Sequence, residues 1–103
     1  MVGEFVSVTK TEDLGGEQLA AFDVKGNRIA IANVAGTFYA FDDTCTHLQC
    51  SLADGELEGT VVTCPCHGSQ FDVTTGDVLE GPAKEPVRSY GVRVDGDAVE
   101  VEV

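Results

Sequence analysis

Residues 45–50 read CTHLQC and residues 64–69 read CPCHGS, and these two segments contain all four cysteines and both histidines of the 103-residue chain. A lone cysteine most often serves as a small buried hydrophobe. Packing in a hydrophobic core does not explain why four cysteines and two histidines are all confined to two short segments. The two segments therefore predict a metal centre.

The spacing of these residues excludes several kinds of metal or redox site. A structural zinc finger needs a closely spaced histidine pair after its cysteine pair, and this sequence has no such histidine pair. An all-cysteine iron–sulfur site leaves both histidines unexplained. A thioredoxin-like pair needs Cys-x-x-Cys at the start of a helix in a βαβ unit, which is also absent. What remains is Cys-x-His, sixteen intervening residues, and then Cys-x2-His.

The sequence around these segments consists of short apolar and β-branched runs separated by turn residues, with almost no helical periodicity. This pattern predicts an all-β, antiparallel sandwich or small barrel in a single domain spanning 1–103. A short helical turn is predicted at 11–14, whereas 42–59 and 64–69 do not read as strands. The predicted strands are 4–8, 18–24, 28–34, 37–41, 60–63, 69–73, 77–79, 87–94 and 98–103.

The net charge of −12 is unevenly distributed, since no lysine or arginine occurs between Arg28 and Lys84. Such an acidic field repels nucleic acid and would steer association with a basic patch on a protein partner. A solvated surface that only provides solubility explains the charge equally well. The acidic residues of the interval are Asp42, Asp43, Asp54, Glu56, Glu58, Asp72, Asp77 and Glu80.

The chain shows neither a signal-peptide pattern at its start nor an apolar run long enough to cross a bilayer. These features predict a cytoplasmic protein without a membrane anchor. A removed N-terminal anchor would leave no trace in this sequence. The sequence also offers no catalytic nucleophile, acid–base pair or phosphate-binding glycine loop, so we expect no enzyme active site.

The two segments resemble the cluster-binding motifs of Rieske proteins, and the resemblance continues through Gly81-Pro82-Ala83 to the run Val92–Asp97. It implies a Rieske-type β-sandwich or small barrel, with a cluster-binding subdomain of two loops at about 42–83. It also implies one 2Fe-2S cluster, with Cys45 and Cys64 on one iron and His47 and His67 on the other. Neutral imidazoles in place of two thiolates raise the midpoint potential to roughly −150 to +300 mV.

Cys50 and Cys66 occupy corresponding positions in the two segments. In Rieske proteins of the cytochrome bc type, the matching cysteines form a disulfide, so the resemblance predicts a Cys50–Cys66 bond. A disulfide is unusual in the cytosol, and two buried thiols are the alternative. Shielding by the two loops would keep the bond oxidised.

The resemblance also assigns residues around the cluster. Ser69 matches a serine that donates a hydrogen bond to a bridging sulfide, whereas Phe71 replaces a tyrosine that donates to a ligand cysteine in respiratory Rieske proteins. Leu48 either shields the cluster from water or packs as an ordinary loop residue. Pro82 lies in a segment that resembles the third, proline-containing loop over the cluster, although a plain turn explains it as well. The missing donor at Phe71 predicts a potential above that of ordinary oxygenase ferredoxins and below that of respiratory proteins.

Such a cluster makes the protein a one-electron carrier. The resemblance favours a ferredoxin that accepts electrons from a flavin-dependent NAD(P)H reductase and passes them to the terminal oxygenase of a ring-hydroxylating system. The alternative is an electron-transfer subunit of a fixed complex, such as a nitrite reductase, an arsenite oxidase or a respiratory bc-type complex. A zinc-stabilised β module that only binds a partner is a structural alternative, which iron analysis would separate from both.

Overall fold

The computed structural model describes residues 4–45, 50–66, 68–81 and 83–103. Within these ranges the chain forms antiparallel strands and two short 3-10 turns, at Thr11–Asp13 and Leu52–Asp54, so the predicted all-β class is confirmed. The strands are β1 (Phe5–Lys10), β2 (Gln18–Val24), β3 (Asn27–Val34), β4 (Thr37–Asp42), β5 (Glu56–Glu58), β6 (Val61–Thr63), β7 (Gln70–Asp72), β8 (Val78–Glu80), β9 (Ser89–Tyr90), β10 (Val92–Asp95) and β11 (Ala98–Glu102).

The strands form three antiparallel sheets. The first has the order β1-β11-β10 and the second has the order β2-β3-β4-β9. The third sheet has the order β5-β6-β7-β8 and contains the chain between the two cysteine-containing segments and just beyond them. The site is therefore supported by a sheet of its own.

Strand β3 contributes to both hydrophobic cores because both of its faces are covered. Ile29 and Ile31 belong to one buried cluster together with Val99 and Val101 of β11. The alternate side chains of β3, Ala30 and Ala32, belong to a second cluster, which contains Phe41, Cys45, Leu52, Val62, Cys64, Phe71, Val73, Ala83 and Val87. Since successive side chains of a strand point to opposite faces, β3 connects the β-sandwich to the cysteine-containing end.

The two hairpins of the second sheet have the turn chemistry that the sequence predicts. Gly26 and Gly36 have φ values of 82° and 92°, and the preceding residues, Lys25 and Ala35, also have positive φ. Two consecutive residues with positive φ are typical of type I′ turns, whose twist matches that of the flanking strands. These turns fix the registers Val24↔Asn27 and Val34↔Thr37.

The prediction of one strand over 87–94 was wrong, because the chain changes sheets there. Strand β9 pairs with β4 in the second sheet, and β10 pairs with β11 in the first. Between them, the carbonyl oxygen of Gly91 accepts a hydrogen bond from Glu102 N at 2.8 Å. The apolar alternation is continuous across the change, which is why the sequence did not reveal it.

The prediction that 42–59 contains no strand was also wrong, since it contains β5. This strand pairs with β6 in the register Glu56↔Thr63, Leu57↔Val62 and Glu58↔Val61. Its sequence, Glu-Leu-Glu, has low β propensity, and its position beside β6 provides the pairing partner that its composition does not predict. Among the described residues, none belongs to a helix with the length and apolar character needed to cross a bilayer.

Candidate metal centre

The first cysteine-containing loop begins where β4 ends, and backbone contacts close it at its base. Thr44 forms an isolated antiparallel bridge with Ser51. One residue further into the loop, Cys45 N–H donates to the carbonyl oxygen of Cys50 at 2.8 Å. Cys45 and Cys50 therefore face each other across the loop, while residues 46–49, which include the predicted ligand His47 and Leu48, lie outside the described residues.

The second loop connects β6 to β7 and is closed in a similar way. Cys64 N–H donates to the carbonyl oxygen of Ser69 at 2.7 Å, and Gly68 N–H donates to the carbonyl oxygen of Cys64 at 3.1 Å. The β6–β7 pair Thr63↔Gln70 lies directly below these bonds. The predicted ligand His67 lies outside the described residues.

A glycine allows the two loops to approach each other closely. A Cβ atom on Gly55 would lie 1.9 Å from the carbonyl oxygen of Thr63, the residue before Cys64. No side chain fits in that space, so glycine is required where the first loop enters β5.

The structure joins the two loops by a disulfide between Cys50 and Cys66, as the resemblance predicted. Their Cα atoms are 6.4 Å apart, within the range usual for disulfides. Cys45 and Cys64 are not part of this bond and are almost completely buried, with 1% and 3% of their surface exposed. The sequence's four cysteines thus divide into one inter-loop bond and two buried thiols.

The donor chemistry of this site fits a cluster that is bound by one thiolate from each of the two loops. The sulfur atoms of Cys50, Cys64 and Cys66 lie within 4.8 Å of one another. Disulfide sulfurs are not thiolates, and the thiolate is the form that binds metal, so Cys50 and Cys66 are not available as ligands. The two cysteine side chains outside the bond, Cys45 and Cys64, lie in one buried cluster with Leu52, Val62 and Phe71.

Ser69 is buried beside the second loop, with 1% of its surface exposed. Its Oγ accepts a hydrogen bond from Ala83 N–H at 2.9 Å, which connects the loop at Gly81 and Ala83 to the second cysteine-containing loop. A serine hydroxyl that accepts one bond still has its own proton to donate. Pro82, between the two residues of that third loop, lies outside the described residues.

Phe71 is completely buried on β7 and belongs to the same cluster as Cys45 and Cys64. Its ring excludes water from the thiol side of the site but has no hydroxyl group to donate. The role of this position beside the ligands, which the resemblance implied, stays a prediction.

The acidic residues of the middle segment do not all lie on the surface. Asp54, Glu56, Glu58, Asp77 and Glu80 are exposed. Asp43, in contrast, is 1% exposed and lies 3.2 Å from Arg28 Nε. The sequence contained no signal for this pairing, because the two residues are fifteen positions apart and on different elements.

A groove connects the acidic surface to the second cysteine-containing loop. It has a volume of about 360 Å³, and the residues that line it include Asp54, Glu56, Cys64 and Pro65. A neighbouring groove of about 400 Å³ is lined by Glu56 and Glu58 together with Val61, Thr63 and Gln70. The carboxylates thus lie beside the site and not on a remote face.

Tyr90 supports the strand that leads into the first loop, and this contact predicts a pH dependence of stability. Its hydroxyl donates to Asp42 Oδ1 at 2.5 Å, and burial together with this bond raises the pKa of Tyr90 to about 12. The pKa of Tyr90 in the folded state lies above the ordinary value of about 10. The stabilisation that the Tyr90–Asp42 hydrogen bond gives to the fold is therefore complete below about pH 10 and is lost as the pH rises to about 12. We expect the difference in unfolding free energy between the wild type and Tyr90→Phe to shrink over this interval, as measured by urea unfolding.

Tyr39→Phe, which removes the chain's other tyrosine hydroxyl, is the control for the Tyr90 experiment. Its difference from the wild type should not follow the same pH course. An equal loss in both variants would contradict the role of the Tyr90–Asp42 bond.

Comparison with known proteins places this site in a family. Residues 4–91 match the family model described as the Rieske [2Fe-2S] domain. The chain is 38% identical, over 97% of its length and 86% of the relative, to the ferredoxin component of the p-cumate 2,3-dioxygenase system of Pseudomonas putida.

Solved structures agree with this relationship. The ferredoxin of carbazole 1,9a-dioxygenase from Nocardioides aromaticivorans superposes with a TM-score of 0.92 at 32% identity, covering 95% of this chain and 96% of that one. A second match, to a complex of reduced oxygenase and oxidised ferredoxin in carbazole 1,9a-dioxygenase, has a TM-score of 0.91 at 33% identity and covers 95% and 92% of the two chains. The chain belongs to the Rieske [2Fe-2S] domain family, and it is an electron-transfer protein with one Rieske-type 2Fe-2S cluster.

Proposed function

We propose that this chain is the ferredoxin of a ring-hydroxylating oxygenase system, which carries one electron at a time from a flavin-dependent NAD(P)H reductase to a terminal oxygenase. The observation that supports this most strongly is the similarity over most of the chain to ferredoxin components of dioxygenase systems, and the buried Cys45 and Cys64, at the bases of two disulfide-joined loops, support the cluster that such a carrier needs. Several relatives that match most of the chain are ferredoxin components of dioxygenase systems. One solved relative is a ferredoxin in complex with its oxygenase.

The proposed ligands are Cys45 and Cys64 for one iron and His47 and His67 for the other. The burial of the two thiols, and their absence from the disulfide, support the cysteine half of this set. The histidine half rests on the sequence positions, two residues after Cys45 and three residues after Cys64. When bound, the cluster supplies reversible one-electron chemistry.

The protein's own residues hold and shield this centre. The Cys50–Cys66 bond keeps the two loops together, and Leu52, Val62 and Phe71 exclude water from the thiol side. Ser69 is the proposed hydrogen-bond donor to a bridging sulfide, and such bonds favour the reduced, more negative state. The proposed cluster-binding subdomain, about 42–83 within a single domain of 1–103, includes both loops and the third sheet.

The proposed contact with partners is electrostatic. Asp54, Glu56 and Glu58 border the groove system that reaches Cys64 and Pro65, so a basic patch on a reductase or oxygenase would dock next to the cluster. We place the protein in the cytoplasm, where the NAD(P)H that supplies its reductase is found.

The test of this proposal is electron transfer between purified components. The holoprotein is mixed with a ring-hydroxylating oxygenase and an NADH-dependent flavin reductase, and stopped-flow absorbance follows reduction of the ferredoxin and of the oxygenase's own cluster. Glu56→Lys/Glu58→Lys should lower the association rate constant by tenfold or more at low salt, with the difference shrinking as ionic strength rises.

A matched charge change provides the control for this docking experiment. Glu12→Lys/Asp13→Lys has the same change in net charge but lies in the 3-10 turn between β1 and β2. It should lower the rate far less. Equal effects of the two double variants would mean that only net charge matters, which contradicts docking at the acidic groove.

Phe71 provides a prediction about the potential. Phe71→Tyr adds a donor within the cluster of side chains that contains Cys45 and Cys64. A hydrogen bond that is stronger by about 1 kcal/mol in the reduced state raises the midpoint potential by about 40 mV for one electron. Protein-film voltammetry measures this shift, and Phe38→Tyr, at a partly buried position in the other core, should leave the potential unchanged. An unchanged midpoint in Phe71→Tyr would contradict the explanation.

A further inference from the structure

Asp43 is a buried carboxylate that the proposed redox chemistry does not use. Only 1% of its surface is exposed, and a buried charge is costly unless it is paired and hydrogen-bonded. Both carboxylate oxygens have partners. Ser51 Oγ donates to Oδ2 at 2.6 Å, Ala53 N–H donates to Oδ1 at 2.8 Å, and Arg28 Nε–H donates to Oδ2 at 3.2 Å.

These bonds link the two ends of the first cysteine-containing loop. Asp43 precedes the loop, while Ser51 and Ala53 follow it, so the carboxylate spans the loop's base. The backbone reinforces the closure, since Leu52 N–H donates to the carbonyl oxygen of Asp43 at 2.6 Å. The next contacts inward are the Thr44↔Ser51 bridge and the Cys45 N–H bond to Cys50.

Arg28 attaches this loop base to the sandwich. It lies in β3, the strand with both faces buried, and its carbonyl oxygen accepts a bond from Asp43 N–H at 3.1 Å. The guanidinium compensates the carboxylate's charge while its own side chain remains half exposed, at 53%. One aspartate therefore connects β3, the segment before Cys45 and the segment after Cys50.

We propose that Asp43 is the positioning residue for the first cysteine-containing loop. Its carboxylate holds Cys45 and Cys50 at the separation that is required for cluster retention and for the disulfide between Cys50 and Cys66. This inference rests on the proposed ligand role of Cys45. Groups that do not bind the metal but orient its ligands have a strong influence on metal affinity. Their removal commonly lowers metal affinity about 10- to 100-fold.

The experiment measures cluster retention and redox properties of Asp43→Ala and Asp43→Asn holoprotein. For Asp43→Ala, the rate of cluster loss, followed by visible absorbance with an iron chelator, should rise about 10- to 100-fold. Asp43→Asn keeps the volume and one acceptor oxygen, so its rate should lie between those of the wild type and the alanine variant. Both variants should show an upward shift in midpoint potential and altered reduced-state EPR g values, because a negative charge is removed and Cys45 is less constrained.

Asp72→Ala is the matched control, because Asp72 is also an aspartate whose carboxylate joins a turn. Its Oδ1 accepts bonds from Thr74 N–H at 2.8 Å and Thr74 Oγ1 at 2.6 Å, between β7 and β8. We expect Asp72→Ala to destabilise the fold about as much as Asp43→Ala does, as measured by urea unfolding. Its midpoint potential and EPR g values should nevertheless stay at the wild-type values. If Asp43→Ala does not fold, the proposal is tested with Asp43→Asn alone, whose cluster-loss rate, potential and g values are compared with those of the wild type and Asp72→Ala.

Two results separate the failure of this inference from the failure of the ligand assignment. A Cys45→Ala variant that keeps a wild-type Rieske spectrum would overturn the ligand assignment. If Cys45→Ala loses the cluster while both Asp43 variants keep wild-type potential, g values and cluster-loss rate, the ligand assignment stands and the positioning role of Asp43 is wrong.

Discussion

The Cys45→Ser and Cys64→Ser variants are expected to lose the cluster, and with it the visible absorbance and the reduced-state EPR signal. A serine hydroxyl is not ionised at neutral pH and is a hard oxygen donor, whereas iron–sulfur clusters are held by soft thiolates. Both side chains are buried in one apolar cluster, so water has poor access to replace the missing ligand. Iron and acid-labile sulfide per chain should fall at least about tenfold.

Ser89→Ala is the control for this loss, since it removes an exposed hydroxyl from β9 and touches neither a proposed ligand nor the contacts of Asp43. It should retain most of its iron and the wild-type spectrum. Wild-type iron content and g values in either cysteine variant would contradict the assignment of that cysteine.

The Cys50→Ala/Cys66→Ala double variant is expected to show the second-largest effect, on both stability and cluster lifetime. The bond closes a loop with a sequence separation of 16, and the loss of that constraint on the unfolded chain costs about 3 kcal/mol. Urea unfolding of the two proteins measures the difference. Cluster loss should be faster as well, because no covalent bond then joins the two cysteine-containing loops.

Chemical reduction of the wild type tests the same bond in a different way. Reduction creates thiols at Cys50 and Cys66, and their sulfurs lie within 4.8 Å of the Cys64 sulfur, where they compete as ligands. Dithiothreitol should therefore accelerate cluster loss in the wild type and have no further effect on the double variant. Alkylation of Cys50 and Cys66 in unreduced wild type, seen by mass spectrometry, would contradict the bond itself.

Local sequence patterns predicted the elements of the sandwich well. The bounds of β2 agree with the prediction, and β3 and β4 differ by one residue at one end. The alternation of Val99 and Val101 with Glu100 predicted the buried face of β11 correctly, since both valines are completely buried. These elements were predictable because side-chain periodicity and turn residues act over a few neighbouring positions.

The failures lie where distant parts of the chain supply the missing interaction. Strand β5 exists because β6 pairs with it, and the break at Gly91 exists because β9 and β10 find partners in different sheets. Neither partner is encoded in the local composition. Strand pairing between non-neighbouring segments therefore had to come from the tertiary structure.

The sequence by itself indicated the type of centre, a Rieske-type 2Fe-2S cluster, because the residue types and spacing of its two cysteine- and histidine-containing segments resemble the Rieske motifs. It also indicated, through resemblance, which cysteines pair. Only the tertiary structure decided that Asp43 is not part of the acidic surface but a buried link between β3 and both ends of the first cysteine-containing loop. The physical reason is that burial and charge compensation depend on which distant groups the fold brings together, whereas the chemistry of a ligand is inherent in its side chain.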